Sequence, residues 1–329
     1  MVSKALVIGG TLFIGRAMVS RLLERGDDVT ILHRTAGTPF GDAVEEVLCD
    51  RNDVAAVRTA LGGRRFDVVI DNVYDFGRGT TAAQVAAAAE VTAPGLRRYV
   101  FTSSVAAYGG GVDHDEDDPL LADHPSPYSR DKAGSERALF RLHAEQGLPV
   151  VTLRPAFVYG PGNPFYREAF FWDLMTSGRP VVIPDDGARL MQFAHVDDVA
   201  RAALLALDMD VAVGRAYNLG GEPAVTQVEY VRALGRAAGA EPELLHVPRA
   251  AIEAAGGSLF RPNLYFGEYF DLPSLTVRSG RARTELGLDL VPLDDGLSET
   301  FRWYDSLADR PPHDQGWYDD LVAGIRSGS

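Results

Sequence analysis

Tyr128-Ser129-Arg130-Asp131-Lys132 sets a phenol and an amine four residues apart. On a helix that spacing puts both side chains on one face. A free phenol ionises near pH ~10, too high for a base at neutral pH, but a neighbouring ammonium stabilises the phenolate and lowers that value. Lysine fits the part as a compact charge with three donors. Its use is notable, because the chain has 30 Arg and only two Lys, Lys4 and Lys132. Ser103-Ser104 follows the apolar run Arg98 to Thr102. A hydroxyl there can hydrogen-bond a substrate oxygen while Tyr128 moves its proton. The competing reading of Tyr128 and Lys132 is an ordinary surface pair on a helix.

A second cluster suits a phosphate ligand. Gly9-Gly10-Thr11-Leu12-Phe13-Ile14-Gly15 lies between an apolar β-run and a helix-spaced Ile14, Met18, Leu22. A dinucleotide fold places its phosphate loop there, with the free N–H groups of the helix start facing a pyrophosphate. The next strand ends in His33-Arg34, with no carboxylate for a ribose 2′-OH. Imidazole beside guanidinium suits a 2′-phosphate, so the residues favour NADP(H), with NAD(H) as the other possibility. Asp50 of Cys49-Asp50-Arg51 is a candidate acceptor for the adenine amino group, and Arg51, Asn72, Tyr128 and Lys132 join the expected cofactor contacts.

The elements around these residues alternate. Strands are expected at Ala5–Ile8, Val29–Leu32, Phe66–Ile70, Arg98–Thr102 and Val150–Leu153, with helices at Thr80–Ala93 and Ser129–Gln146. Such alternation predicts an α/β fold, a Rossmann-like doubly wound parallel sheet. Beyond residue 155 Pro and Gly interrupt the pattern, and a smaller, interleaved C-terminal lobe is expected. The expected division is 1–165 with 190–220 for the dinucleotide and 166–189 with 221–329 for substrate. Helices are expected at Val196–Leu207 and Thr226–Ala238. The acidic run Asp113 to Asp118 reads as a solvated loop. His195 with Asp197 and Asp198 reads as a helix start rather than a metal site, and none is expected elsewhere. Phe165-Tyr166 and Phe170-Phe171-Trp172 read as lobe core more readily than as a substrate wall. Phe260, Tyr265, Phe266, Tyr269 and Phe270 offer either a lid or ordinary packing.

The chain has 329 residues and a net charge of −14. Acidity disfavours a nucleic-acid partner. The single cysteine, Cys49, excludes an internal disulfide framework and suits a reducing cytoplasm. The N-terminal apolar run is short for a signal peptide, and no segment has the ~20 apolar residues of a membrane helix.

In this order the motifs resemble the extended short-chain dehydrogenase/reductase family, also called the NAD-dependent epimerase/dehydratase family. Val7 to Gly15 resembles its phosphate loop, Phe101 to Gly109 its serine strand, and Pro127-Tyr128 through Lys132 its Tyr/Lys helix. Leu153 to Gly162, Phe193 to Asp198, Tyr217 to Gly221 and Arg283 to Gly287 are similar to later signatures. The resemblance implies hydride transfer between nicotinamide and a carbon bearing OH or C=O of a small, polyhydroxylated substrate. Tyr128 would be the acid/base, Lys132 would tune it, and Ser104 would orient the oxygen. It also implies a homodimer through Thr80–Ala93 and Ser129–Gln146.

The departures narrow that expectation. Leu12 replaces the middle loop glycine, as in an atypical branch that includes chloroplast proteins reported to bind RNA. Phe157 stands where a typical member has Asn. Met191-Gln192 replaces a basic residue, with Arg189 nearby, and Glu268 aligns with an Arg that grips pyrophosphate. An ordinary UDP- or dTDP-sugar is therefore disfavoured. Val105-Ala106 replaces the Asp-Glu of 4,6-dehydratases. Asp71-Asn72-Val73-Tyr74 replaces a His-Leu-Ala-Ala segment, with Asn72 and Tyr74 as candidate pocket residues. Tyr74, Phe157, Arg189 and Gln192 join Ser104 as expected substrate contacts. Two enzymatic readings follow, an epimerase that recycles its cofactor and a net reductase. A non-catalytic nucleotide sensor or RNA-binding protein is the alternative.

Overall fold

The structure is a computed structural model that describes residues 2–121, 123–258, 266–308, 310 and 316–328. The chain forms two compact units. The first comprises Met1–Val158, Ala194–Glu222 and Leu275–Leu290; the second comprises Tyr159–Phe193, Pro223–Ser274 and Val291–Ser329.

Seven strands make the sheet of the first unit: β1 (Lys4–Ile8), β2 (Asp28–His33), β3 (Glu45–Leu48), β4 (Val68–Asp71), β5 (Arg98–Thr102), β6 (Val150–Pro155) and β7 (Arg215–Leu219). All pairs are parallel, in the order β7-β6-β5-β4-β1-β2-β3. The central strands are continuous apolar runs because helices cover both faces. Successive side chains alternate between faces. Ala5 and Val7 pack with α1 (Phe13–Arg25) and α5 (Val196–Asp208), while Leu6 and Ile8 face the layer of α2 (Val54–Leu61), α3 (Ala82–Thr92) and α4 (Pro127–Gln146). The strand order reverses between β1 and β4, the switch point at which open α/β sheets bind ligands.

The second unit is built on aromatic packing. Phe170, Phe171 and Trp172 are buried on the helix Glu168–Thr176. Trp172 stacks on Tyr304 at 5.6 Å and donates its indole N–H to the Leu234 carbonyl. These residues are core, as expected. Phe266 and Phe270 are also buried, with Phe270 against Phe171 at 4.8 Å. They pack as core and form no open cover; Phe260 and Tyr265 lie outside the described residues.

Three features differ from the sequence expectation. Leu275–Leu290 belongs to the first unit. Its strand Leu275–Val277 pairs with Gly111–His114, and the helix Gly280–Leu286 places Ala282 and Leu286 in the core beside α5. Residues 159–165 and 190–193 fall in the second unit instead of the first. The acidic run is also more than a solvated loop. Gly111–His114 is a strand, and Glu116 is buried with its carboxylate accepting from the Asn218 N–H at 3.0 Å.

Candidate active site

The Gly-rich turn follows β1 at the switch point. Gly9 has φ +86, and a side chain there would collide with Val73. A Cβ on Gly15 would strike the Gly9 carbonyl oxygen, so α1 lies directly against the turn. Leu12 is the N-cap of α1 and provides no side-chain cap. No acidic residue occupies the first turn. Uncapped N–H groups without a nearby carboxylate are what a pyrophosphate requires. Leu12 is 71% exposed, so it leaves this backbone open. Phe13 takes φ +39, an unusual value for a side-chain-bearing residue. Asn72 lies beside the turn: its N–H donates to the Ile8 carbonyl at 3.0 Å, and its buried Oδ1 has no hydrogen-bond partner. Thr11 and Ile14 complete the turn, part-exposed at the helix start.

The end of β2 separates the two residues expected to meet the cofactor's 2′ position. The His33 ring is buried, with Nε2 2.8 Å from Glu46. Arg34 is exposed and pairs with Asp75 at 2.9 Å. Arg78 joins this group and bridges Asp75 and Asp50, both at 2.8 Å. The backbone N–H of Asn52, followed by Arg78, holds the Asp50 carboxyl below its usual range. Asp75 and Arg78 were not anticipated; they sit in the loop after β4, where no spacing marks them. The Arg51 side chain corrects an expectation. It is buried, ion-paired to Asp71, and donates to the Gln84 carbonyl at 2.8 Å. Its guanidinium is therefore spent inside the protein, because Asp71 is wholly buried and needs a counter-charge.

Ser104, Tyr128 and Lys132 converge. Ser126 caps α4, accepting from the Ser129 N–H, and Pro127 takes the first turn, which fixes where the helix starts. Tyr128 is half-buried, and the Ser104 hydroxyl acts on its phenol. Burial raises the pKa of the phenol and Ser104 opposes the rise. Ser104 itself follows β5 and accepts from the Ala106 N–H at 3.1 Å. The Lys132 Nζ is buried and donates to the Thr102 carbonyl at 2.6 Å. It lies over the Phe101 ring at 4.9 Å and the Tyr128 ring at 5.8 Å. Desolvation pushes this amine down to about 8, with Asp71 the largest charge acting the other way. Tyr74 and Phe76 frame the phenol. Tyr74 meets its ring edge-on at 4.8 Å, Phe76 stacks on it at 5.6 Å, and the Tyr74 hydroxyl donates to Asp131. Phe76 is exposed and gave no sequence signal, since it precedes no recognisable motif.

A polar network holds this arrangement. Glu136, fully buried one turn beyond Lys132, accepts from Ser103 Oγ at 2.5 Å, Thr152 Oγ1 at 3.1 Å and Arg154 Nη2 at 2.7 Å. It ties α4 to β5 and β6.

Of the remaining expected substrate contacts, Phe157 is part-buried in the first unit. Arg189 and Gln192 are in the second, with Arg189 bound to Asp271 at 3.1 Å and Gln192 buried. Glu268, also in the second unit, is raised by burial, which Arg167 opposes. His195 begins α5, where Asp197 and Asp198 lie in the first turn, paired with Arg21 and Arg201.

Comparison with known proteins agrees with this architecture. A 3-diazoavenalumate denitrifying reductase from a Streptomyces species is 30% identical over 86% of this chain and 95% of its own. A chloroplast stem-loop binding protein of 41 kDa from Arabidopsis thaliana is 31% identical over 74% of this chain; the match spans 65% of that protein's length. Among solved structures, dTDP-glucose 4,6-dehydratase from Bacillus anthracis in complex with NAD superposes with a TM-score of 0.74, covering 96% of this chain and 99% of that one at 20% identity. Residues 5–220 match the NAD dependent epimerase/dehydratase family. With that match, this fold and these relatives, the chain belongs to the NAD dependent epimerase/dehydratase family and is an NAD-dependent enzyme of the extended short-chain dehydrogenase/reductase type.

Proposed function

We propose that this enzyme moves hydride between a nicotinamide dinucleotide and a hydroxyl-bearing carbon of a small, polyhydroxylated, sugar-like substrate. The observation that carries the reading is the convergence of Ser104, which acts on the Tyr128 phenol, with the buried Lys132 Nζ 5.8 Å from the Tyr128 ring. Gly9, Gly15 and the uncapped N–H groups of α1 would hold the pyrophosphate, with Thr11, Leu12, Phe13, Ile14 and Asn72 around it. The cofactor, when bound, supplies or accepts the hydride. Ser104 binds and orients the reacting oxygen. Tyr128 gives that oxygen a proton during reduction and removes it during oxidation. Lys132 keeps positive charge under the phenol and so lowers the cost of its anion.

NADP(H) is the preferred cofactor in this reading. Arg34 at the end of β2 and Arg78 in the loop after β4 are exposed guanidinium groups, and a 2′-phosphate can compete with Asp75 for them. A sugar-nucleotide substrate has the support of the neighbour that converts dTDP-glucose, whereas Glu268, which the resemblance sets where relatives carry a pyrophosphate-gripping Arg, counts against a diphosphate. Dimerisation through α3 and α4, and a reducing cytoplasm for the buried Cys49 thiol, complete the proposal. No described helix is long and apolar enough to cross a membrane. The similarity to a stem-loop binding protein favours a second reading, an RNA-binding protein on this fold, which the net charge of −14 opposes.

The deciding experiment is release and mass identification of nucleotide from freshly purified protein. Near-stoichiometric oxidised cofactor supports an epimerase, and NAD+ in that position overturns the Arg34 reading. An empty protein that binds NADPH reversibly supports a reductase. Binding of neither cofactor, with a salt-dependent RNA shift, overturns the enzymatic reading.

A further inference from the structure

Lys132 is the only lysine buried in the first unit, and its surroundings are unusually charged. Asp71 ends β4 opposite Phe101 of β5, and the Lys132 Nζ lies on the Phe101 ring. Asp71 is completely buried. One of its oxygens takes the Arg51 guanidinium and a 2.8 Å hydrogen bond from the Tyr99 phenol. The other, Oδ1, has no hydrogen-bond partner. A carboxylate oxygen left bare in the interior is costly unless a nearby charge compensates it. Arg51 supplies one such charge, and Lys132 is a second on the same face of the sheet: its own hydrogen bond goes to the Thr102 carbonyl, and Asp71 is the strongest carboxylate acting on it. Arg51 acts on Lys132 in the opposite sense. Glu136 and Asp131 on α4 contribute smaller attractions, and the Tyr128 and Tyr74 rings close the remaining side without charge.

We propose that the buried Arg51–Asp71 pair is a positioning pair for Lys132: Asp71 holds the ammonium charged under the Tyr128 phenol, and Arg51 limits that hold. The inference rests on the reading of Tyr128 and Lys132 as the reacting pair. Asp71 draws the ammonium towards the sheet and keeps its proton on, so the phenol sees a fixed positive charge. Arg51 takes one Asp71 oxygen and prevents the carboxylate from neutralising Lys132 completely. Neither residue touches the reacting atoms in this arrangement.

The composition makes the test direct. With two lysines in the chain, protein labelled with 15N or 13C at the lysine side chain gives two signals, and exposed Lys4 is the internal control. The Lys132 signal is followed from pH 6 to 11 in the wild type, Asp71→Asn and Arg51→Gln. Asp71→Asn should move the Lys132 midpoint down by about one pH unit or more, and Arg51→Gln should move it up, with Lys4 unchanged in both. A merely structural role predicts no such opposed pair. The inference is overturned if both variants leave the Lys132 midpoint in place or shift it in the same direction. If Asp71→Asn does not fold, the upward shift in Arg51→Gln decides alone. The readout needs no turnover, so its outcome is independent of whether Tyr128→Phe abolishes catalysis.

Discussion

Glu136→Gln tests the network that fixes the candidate site to the sheet. The carboxylate accepts from Ser103, Thr152 and two nitrogens of Arg154, and both Glu136 and Arg154 are buried. Burial opposes the Arg154 charge, yet the Glu136 carboxylate outweighs it and raises the guanidinium pKa. Glutamine keeps the shape but removes the charge and turns a donor towards groups that themselves donate. Arg154 is then left with the Tyr108 hydroxyl and the Glu116 carbonyl as neutral acceptors. Breaking one side of a buried ion pair costs about 3–5 kcal/mol. For a unit of roughly 200 residues this corresponds to a drop in Tm of about 6–20 °C. Far-UV circular dichroism is the suitable probe, because all three tryptophans lie in the second unit and their fluorescence reports on that unit instead. Arg154→Met alone should be comparably damaging. The double variant should recover at least ~2 kcal/mol relative to the sum, since the uncompensated charge is then gone. A loss below ~1 kcal/mol for Glu136→Gln, or strict additivity in the double variant, would refute the argument that charge compensation holds α4 in place.

Further expectations concern the ligand and the proton. Tyr128→Phe should lower turnover by at least ~100-fold while dinucleotide affinity, measured by calorimetry, changes little. Gly15→Ala should abolish dinucleotide binding, because the new methyl meets the Gly9 carbonyl; retained affinity would show that the turn is not the phosphate site. Arg34→Ala should weaken NADPH by about tenfold relative to NADH in paired titrations, and equal losses for both would remove the 2′-phosphate assignment. Lys132→Met should raise stability while removing activity. The folded amine sits at about 8 against 10.5 when free, so the unfolded chain binds the proton more tightly. Wild-type stability is therefore penalised by roughly 3 kcal/mol below pH 8 and recovers between pH 8 and 10.5, a slope that denaturation of the variant should lack.

Much of this was legible because the chemistry constrains residue type locally. The central strands read clearly, since a sheet covered on both faces demands unbroken apolar runs, and β5 matches its expected limits. Tyr128, Lys132 and Ser104 were visible for the same reason: one helix and one strand end position them. Arg51 was misread because a buried ion pair depends on Asp71, twenty residues away at the end of β4, and no spacing encodes that meeting. Leu275–Leu290 was assigned to the wrong unit because a three-residue strand carries too little periodicity to declare its partner. Glu116 was hidden within an acidic run whose composition suggests water, although its carboxylate serves a backbone N–H in the interior.

The interleaving of the two units has a consequence for how the chain is made. β6 is complete at Pro155, but its outer neighbour β7 begins only at Arg215. In between, the ribosome must produce a full segment of the second unit, Tyr159–Phe193. At about 5–20 residues per second, β6 waits several seconds as an open, apolar edge. Such an edge pairs readily with another chain. A chain shortened near residue 165 would keep that edge permanently, so it should aggregate where the full-length protein does not. The first unit is thus a late product of synthesis, closed only when residues from three separate stretches have emerged.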